Sequence, residues 1–213
     1  MVRKVAVSSF LGNFIEWFDY ASYSYFATTI ALVFFPTDNH TVAMLQTFGV
    51  FALSFILRPI GALFWGSYGD KKGRKAALAH SIMFMSGASF LIGCLPSYSV
   101  IGVGAPILLL LLRMVQGFSA SGEYAGAATF LGEYAPTSKR GIYCSLIPAS
   151  TAIGLLAGST LATLMTANMN SSAMVGWGWR VPFLLAGPLG LIVLYIRAKL
   201  ADSPVYQSMN DAL

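Results

Sequence analysis

The sequence predicts an all-α membrane protein of six transmembrane helices, and three observations predict it. Hydrophobic residues fill 56% of the 213 positions and charged residues only 10%, where a soluble domain carries about 25% charged residues. The apolar residues fall into six blocks, each near the roughly 20 residues needed to cross a hydrocarbon core. Lys and Arg then gather in alternate connections between the blocks.

In chain order the blocks are 9–34, 45–68, 76–95, 105–131, 142–167 and 179–198. The connections read FFPTDNHT, GDKKGRK, LPSYSVIG, GEYAPTSKRG and NMNSSAMVGWG, rich in the Pro, Gly, Asn, Asp and Ser that break helices. The first block is too long, and too interrupted by acids, for a cleavable leader. Arg3 and Lys4 precede it. Lys71, Lys72, Arg74 and Lys75 fill the second connection, Lys139 and Arg140 the fourth, and Arg197 and Lys199 the C-terminal tail. The first and third connections have neither Lys nor Arg, and the fifth has only Arg180 at its edge. Basic connections stay in the cytoplasm. A multi-pass protein of the plasma (inner) membrane with both termini cytoplasmic is therefore expected. Topology accounts for the +5 net charge, so nucleic acid is not an expected partner. Trp177 and Trp179 read as anchors at the outer interface, with Arg180 reaching toward headgroups.

Catalytic and metal chemistry find no support. Cys94 and Cys144 lie far apart, without CxxC or Cys/His spacing, and read as small buried hydrophobes. His40 and His80 are not paired, and neither HExxH nor GxSxG occurs.

The ionisable residues within the blocks are more telling. Glu16, Asp19, Arg58, Arg113 and Glu123 each cost at least a few kcal/mol at the bilayer centre if unpaired, so they face the bundle interior or water. Glu16 and Asp19 are three residues apart and share a helix face. Arg113, Gln116 and Glu123 form a polar stripe on the fourth helix. Counting residues puts Asp19, Glu123 and Arg58 at similar depths, roughly 15–18 Å from the basic ends of their helices at 1.5 Å per residue. One reading is a solute and proton pathway: a carboxylic acid in a poorly hydrated cavity loads and releases a proton near neutral pH, and an arginine there partners a solute carboxylate. The other reading is static interhelical ion pairing, which weighs equally for Arg58 because Pro59 marks a kink beside it. Three acids against two arginines leave one acid without a full partner. Glu123 is expected to be that acid and to carry the coupling proton, with Asp19 held by Arg58.

The second connection is more specific than a basic loop. Gly66, Asp70, Gly73, Arg74 and Lys75 spell GxxxDxxGRK, a tight turn with an acid placed to pair with Arg74. This loop resembles the signature between the second and third helices of the major facilitator superfamily. The resemblance extends over nearly the whole chain to its metabolite–proton symporter branch, which includes proline/betaine and dicarboxylate carriers. It rests on GNFIEWFDY, FFP, ILRPIGALFWG, GDKKGRK, the run from IGCLPSYSVIG through RMVQGFSASGEYAGA, GEYAP, KRG, GWGWRVPF and LADSPVY, in order and at helix-sized spacing.

The resemblance implies two inverted three-helix repeats forming one half of a twelve-helix transporter, with the first and fourth helices lining the cavity. It also implies alternating access, with the Asp70 loop latching one conformation. Asp202 departs from the pattern, since the family commonly has Glu there. The chain ends after six helices, so residues 1–213 read as the N-terminal half with the C-terminal half absent. The expected function is a proton symporter of a small organic solute, either a zwitterionic osmolyte such as proline or betaine or a carboxylate metabolite. The alternative is a truncated, non-transporting membrane protein that needs a second six-helix half. Expected partners are the lipid bilayer, the solute, and a second half or a homodimer copy, with no cofactor beyond the coupling ion, H⁺.

Overall fold

A computed structural model describes residues 2–201, and every described segment of regular structure is helical. The LADSPVY stretch from Asp202 onward therefore lies outside the described residues. Five segments are long and apolar enough to cross a membrane: His40–Lys72, Arg74–Cys94, Gly104–Tyr134, Thr137–Asn168 and Gly178–Ala198. The sixth is α1 (Val2–Tyr25) with α2 (Ala27–Phe34), joined through Phe26. It is less apolar because α1 buries Ser8, Ser9, Asn13, Glu16, Asp19 and Ser22 inside the bundle. Outside, Leu45, Leu63, Leu111, Leu156 and Leu191 lie exposed, the surface a bilayer requires.

The breaks follow the punctuation in the sequence. Pro36 separates α2 from α3 (His40–Ile56), whose start is capped by Asn39 Oδ1 accepting from the amides of Thr41 and Val42 at 3.0 and 3.3 Å. Pro59 lacks an N–H, so the second span divides at Leu57 into α3 and α4 (Arg58–Lys72). Gly73 has φ 95°, a left-handed conformation that suits glycine, and turns α4 directly into α5 (Arg74–Cys94). The short α6 (Tyr98–Ile101) leads into α7 (Gly104–Tyr134). Pro136 ends α7 ahead of α8 (Arg140–Cys144) and α9 (Leu146–Asn168). Asn170 caps α10 (Ser171–Gly176), and Pro182 opens α11 (Val181–Ala198).

The packing maps onto itself when the first three spans are exchanged with the last three. α1 packs on α9 as α7 packs on α3 and α4, α5 packs on α7 as α11 packs on α1, and α5 meets α11 between them. Small residues permit the first two contacts. A Cβ at Gly154 would lie 2.7 Å from the Phe14 carbonyl oxygen, and one at Gly117 would collide with the Ser54 carbonyl. Side-chain chemistry repeats the exchange. Lys75, opening α5, donates to the Ala198 carbonyl at the end of α11 at 3.0 Å. Arg180, just before α11, donates to the Gly93 and Leu95 carbonyls at the end of α5 at 2.8 and 2.5 Å. Each cation sits where a helix C-terminus is electronegative.

Two interface expectations need correction. Trp179 is fully buried, with its ring 5.3 Å from Phe34 and 6.2 Å from Phe183, because Phe34 offers it an apolar pocket inside the bundle. Arg180 stacks on Trp179 and is spent on the end of α5 rather than on headgroups. Cys94 is exposed and Cys144 half-buried, so neither is a fully buried hydrophobe.

Candidate solute and proton site

Three ion pairs run through the bundle, two of them buried on both sides, and their partners differ from those counted along the sequence. The central one joins α1 to α7. Arg113 Nη1 donates to Asp19 Oδ2 at 2.7 Å, while Ser89 Oγ and Gln116 Nε2 donate to Asp19 Oδ1 at 2.7 and 3.1 Å. Gln116 also bonds Ser89. The Arg113 guanidinium lies 3.8 Å from the centre of the Tyr23 ring, and Tyr23 is itself fixed by its hydroxyl to the Thr47 carbonyl at 2.9 Å. The cluster is polar beyond its own needs. Arg113 Nε and Nη2, Gln116 Oε1 and Ser119 Oγ are buried there without partners.

The second pair joins Glu16 to Arg58, not Asp19 to Arg58. Arg58 Nη2 donates to Glu16 Oε1 and to the Tyr20 hydroxyl. Its guanidinium also lies 5.0 Å from the Tyr20 ring centre and 4.7 Å from that of Phe55. This pair is the open one: the Arg58 side chain is 26% exposed against 0% for Arg113.

The third pair removes the premise for Glu123 as the unpartnered acid. Arg197 is not a tail residue but a fully buried part of α11. Its Nη1 donates to Glu123 Oε2 at 2.9 Å and its Nη2 to Glu123 Oε1. Nε reaches Ser8 Oγ at 3.1 Å, and Nη1 also bonds the Leu78 carbonyl. Ser81 Oγ adds a bond to Glu123 Oε2 at 3.3 Å. Gly12 makes room, since a Cβ there would overlap both Glu123 and Arg197. Glu123 and Asp19 are also not level. Their α5 partners, Ser81 and Ser89, stand eight residues apart, about 12 Å along a helix.

At the basic end, Arg74 Nη2 meets Asp70 Oδ1 at 2.8 Å, as the loop spacing predicts. Asp70 is 66% exposed there, so its other oxygen is open to a further partner. Gly66 faces open space, and Lys75 holds the α11 end described above. Sequence reasoning missed Asn13, whose Nδ2 ties α1 to the Ile147 carbonyl, Ser150 Oγ and Thr151 Oγ1 at 2.8–3.0 Å. Its signal was position, one turn before Glu16 on the same helix. Among the described residues no His, Cys, Asp and Glu group is arranged to hold a metal.

The sequence matches the sugar (and other) transporter family over residues 4–213. The chain belongs to that family. Among curated members, a proline/betaine transporter of Salmonella typhimurium is 42% identical over 212 residues, covering 100% of this chain and 42% of the relative. A glycine betaine/proline/ectoine/pipecolic acid transporter of Dickeya dadantii is 43% identical over 212 residues, covering 42% of its own length. The chain thus spans less than half of these relatives. The inward-open xylose transporter XylE of Escherichia coli superposes with a TM-score of 0.85 at 17% identity, over 100% of this chain and 51% of that one. XylE bound to 6-bromo-6-deoxy-D-glucose, a major facilitator superfamily protein, gives 0.87 at 16% identity, over 98% of this chain and 46% of that one. The fold is therefore that of one half of a major facilitator protein, and the transporter family is not a family of enzymes.

Proposed function

We propose that this chain is one six-helix half of a proton-coupled symporter for a small zwitterionic or carboxylate solute, completed by a second six-helix half. The observation that carries the proposal is the Asp19–Arg113–Gln116–Ser89 cluster. A carboxylate there holds an arginine that has unspent donors, inside a bundle whose fold belongs to transporters. Protonating Asp19 cancels its hold on Arg113 and frees the guanidinium for a solute carboxylate. Releasing the proton restores the internal pair and expels the solute. Solute and proton thus exchange one bond partner, which is the coupling a symporter needs. The named activities of the relatives, proline and betaine transport, favour a zwitterion.

The alternation of Lys and Arg supports a plasma (inner) membrane setting with the basic end and both termini in the cytoplasm. Asp70 and Arg74 act there as a latch between halves, with the exposed Asp70 oxygen as its free contact. Glu16 and Arg58 extend the charged layer beside the pathway, and Glu123 with Arg197 braces the bundle about two turns away.

The test uses a complete transporter containing this half, reconstituted in proteoliposomes. Asp19→Asn should reduce uphill uptake under a pH gradient to the equilibrium level while counterflow without a gradient continues. Retained uphill accumulation would remove Asp19 from the coupling role.

A further inference from the structure

We propose that a groove between α5 and α11, on the outer side of the bundle, holds one anionic phospholipid, with an acyl chain in the groove and the phosphate at Lys199 and Tyr195. The groove encloses about 350 Å³ between Met83, Gly87 and Phe90 of α5 and Pro188, Leu191 and Leu194 of α11. Glycine shapes it twice. A Cβ at Gly190 would collide with Ser86, so the helices close tightly at the floor. A Cβ at Gly87 would meet nothing within 4 Å, so the space above that floor is open. Among the described residues Ser86 supplies the only hydroxyl of the lining, and it is committed to the Ile82 carbonyl at 2.7 Å. The lining thus suits methylenes and offers a polar group nothing.

The groove faces lipid. Packing runs α9, α1, α11, α5, α7 and then α3 with α4, so α5 and α11 stand at the middle of an arc. Their inner faces carry Ser81, Ser89 and Arg197 to the ion pairs, and their other faces expose Met83, Phe90 and Leu191. A partner joined at the ends of the arc leaves this back open to the bilayer. Charge and register then choose the lipid. Pro188, Leu191, Tyr195 and Lys199 follow at three- and four-residue steps, so the groove wall continues into a cation on one face. Lys199 Nζ donates to the Tyr195 hydroxyl, both side chains are exposed, and the tyrosine O–H points its own donor outward to an acceptor such as phosphate. Neither α5 nor α11 contains Asp or Glu, so no acid on these helices repels a phosphate. Depth agrees. Lys199 stands eight residues past Leu191 and twelve past Gly187, about 12 and 18 Å along a helix. One leaflet supplies about 15 Å of hydrocarbon under a headgroup layer of about 5–7 Å. A phosphate at Lys199 therefore hangs the far part of its own acyl chain in the groove.

Native mass spectrometry of the purified full chain, titrated in detergent with dioleoyl phosphatidylglycerol and dioleoyl phosphatidylcholine, reads the site. One phosphatidylglycerol should bind about five-fold tighter than phosphatidylcholine, the effect of one lysine near a lipid surface. Gly87→Leu fills the groove at a point where a new side chain meets no protein atom, and should weaken phosphatidylglycerol about ten-fold. Gly49→Leu on α3, an equally open position, should leave it unchanged. Lys199→Gln, at the exposed end of α11, should bring the two lipids level. Equal binding of both lipids by the parent chain, or phosphatidylglycerol binding that survives Gly87→Leu, overturns the site. A dimer of the parent that dissociates in Gly87→Leu also overturns it, because the groove is then an interface between copies.

Discussion

The Glu123–Arg197 and Asp19–Arg113 pairs have the same chemistry and the same burial, yet one is saturated and the other is not. All three Arg197 nitrogens have partners, and both Glu123 oxygens accept. Around Asp19 the acid is equally well served, but the arginine uses a single nitrogen and leaves Nε and Nη2 bare, beside a bare Gln116 oxygen and Ser119 hydroxyl. A buried ion pair repays its desolvation only when the remaining donors and acceptors are filled. The filled pair is thus a joint that fixes α1, α5, α7 and α11 together. The unfilled pair holds polar capacity that solvent or solute can take up. Saturation, more than burial, separates scaffold from site.

Breaking the joint is expected to have the largest effect. Glu123→Leu leaves Arg197 charged and enclosed, a loss of about 3–5 kcal/mol, read as a fall in the thermal unfolding midpoint in detergent. Adding Arg197→Met should recover most of that loss, since an apolar pair needs no partners. A smaller effect, about 1–3 kcal/mol, is expected for Gly12→Ala, whose methyl intrudes on the same joint. Asp19→Asn should cost the least stability of the three, because the asparagine oxygen can still accept from Arg113, which stays over the Tyr23 ring. If Asp19→Asn unfolds the protein as readily as Glu123→Leu, the distinction between joint and site fails.

Most of this architecture is legible in the sequence. Span lengths, the basic loops, the Pro59 break and the Asp70–Arg74 contact follow from composition and spacing. Pairing within the membrane was not legible, for two physical reasons. Depth alone does not choose partners. Glu16 and Asp19 differ by about 60° around the helix axis, enough to send one toward α4 and the other toward α7. Arg197 stands at the end of an apolar run near Lys199 and reads as a terminal cation. Only the packing of α11 against α1 and α5 shows that it faces inward. Trp179 failed likewise, because its place near an interface says nothing about the Phe34 pocket behind it.

The crossed caps between α5 and α11 bear on the order of assembly. The carbonyls closing α5 wait for Arg180, 85 and 87 residues downstream, and Lys75 waits for Ala198, 123 residues later. During synthesis the third span therefore enters the bilayer with its end unsealed, and both seals form together when the last span arrives. The final helix acts as the closing step of biogenesis: a chain halted before it would keep the end of α5 bare.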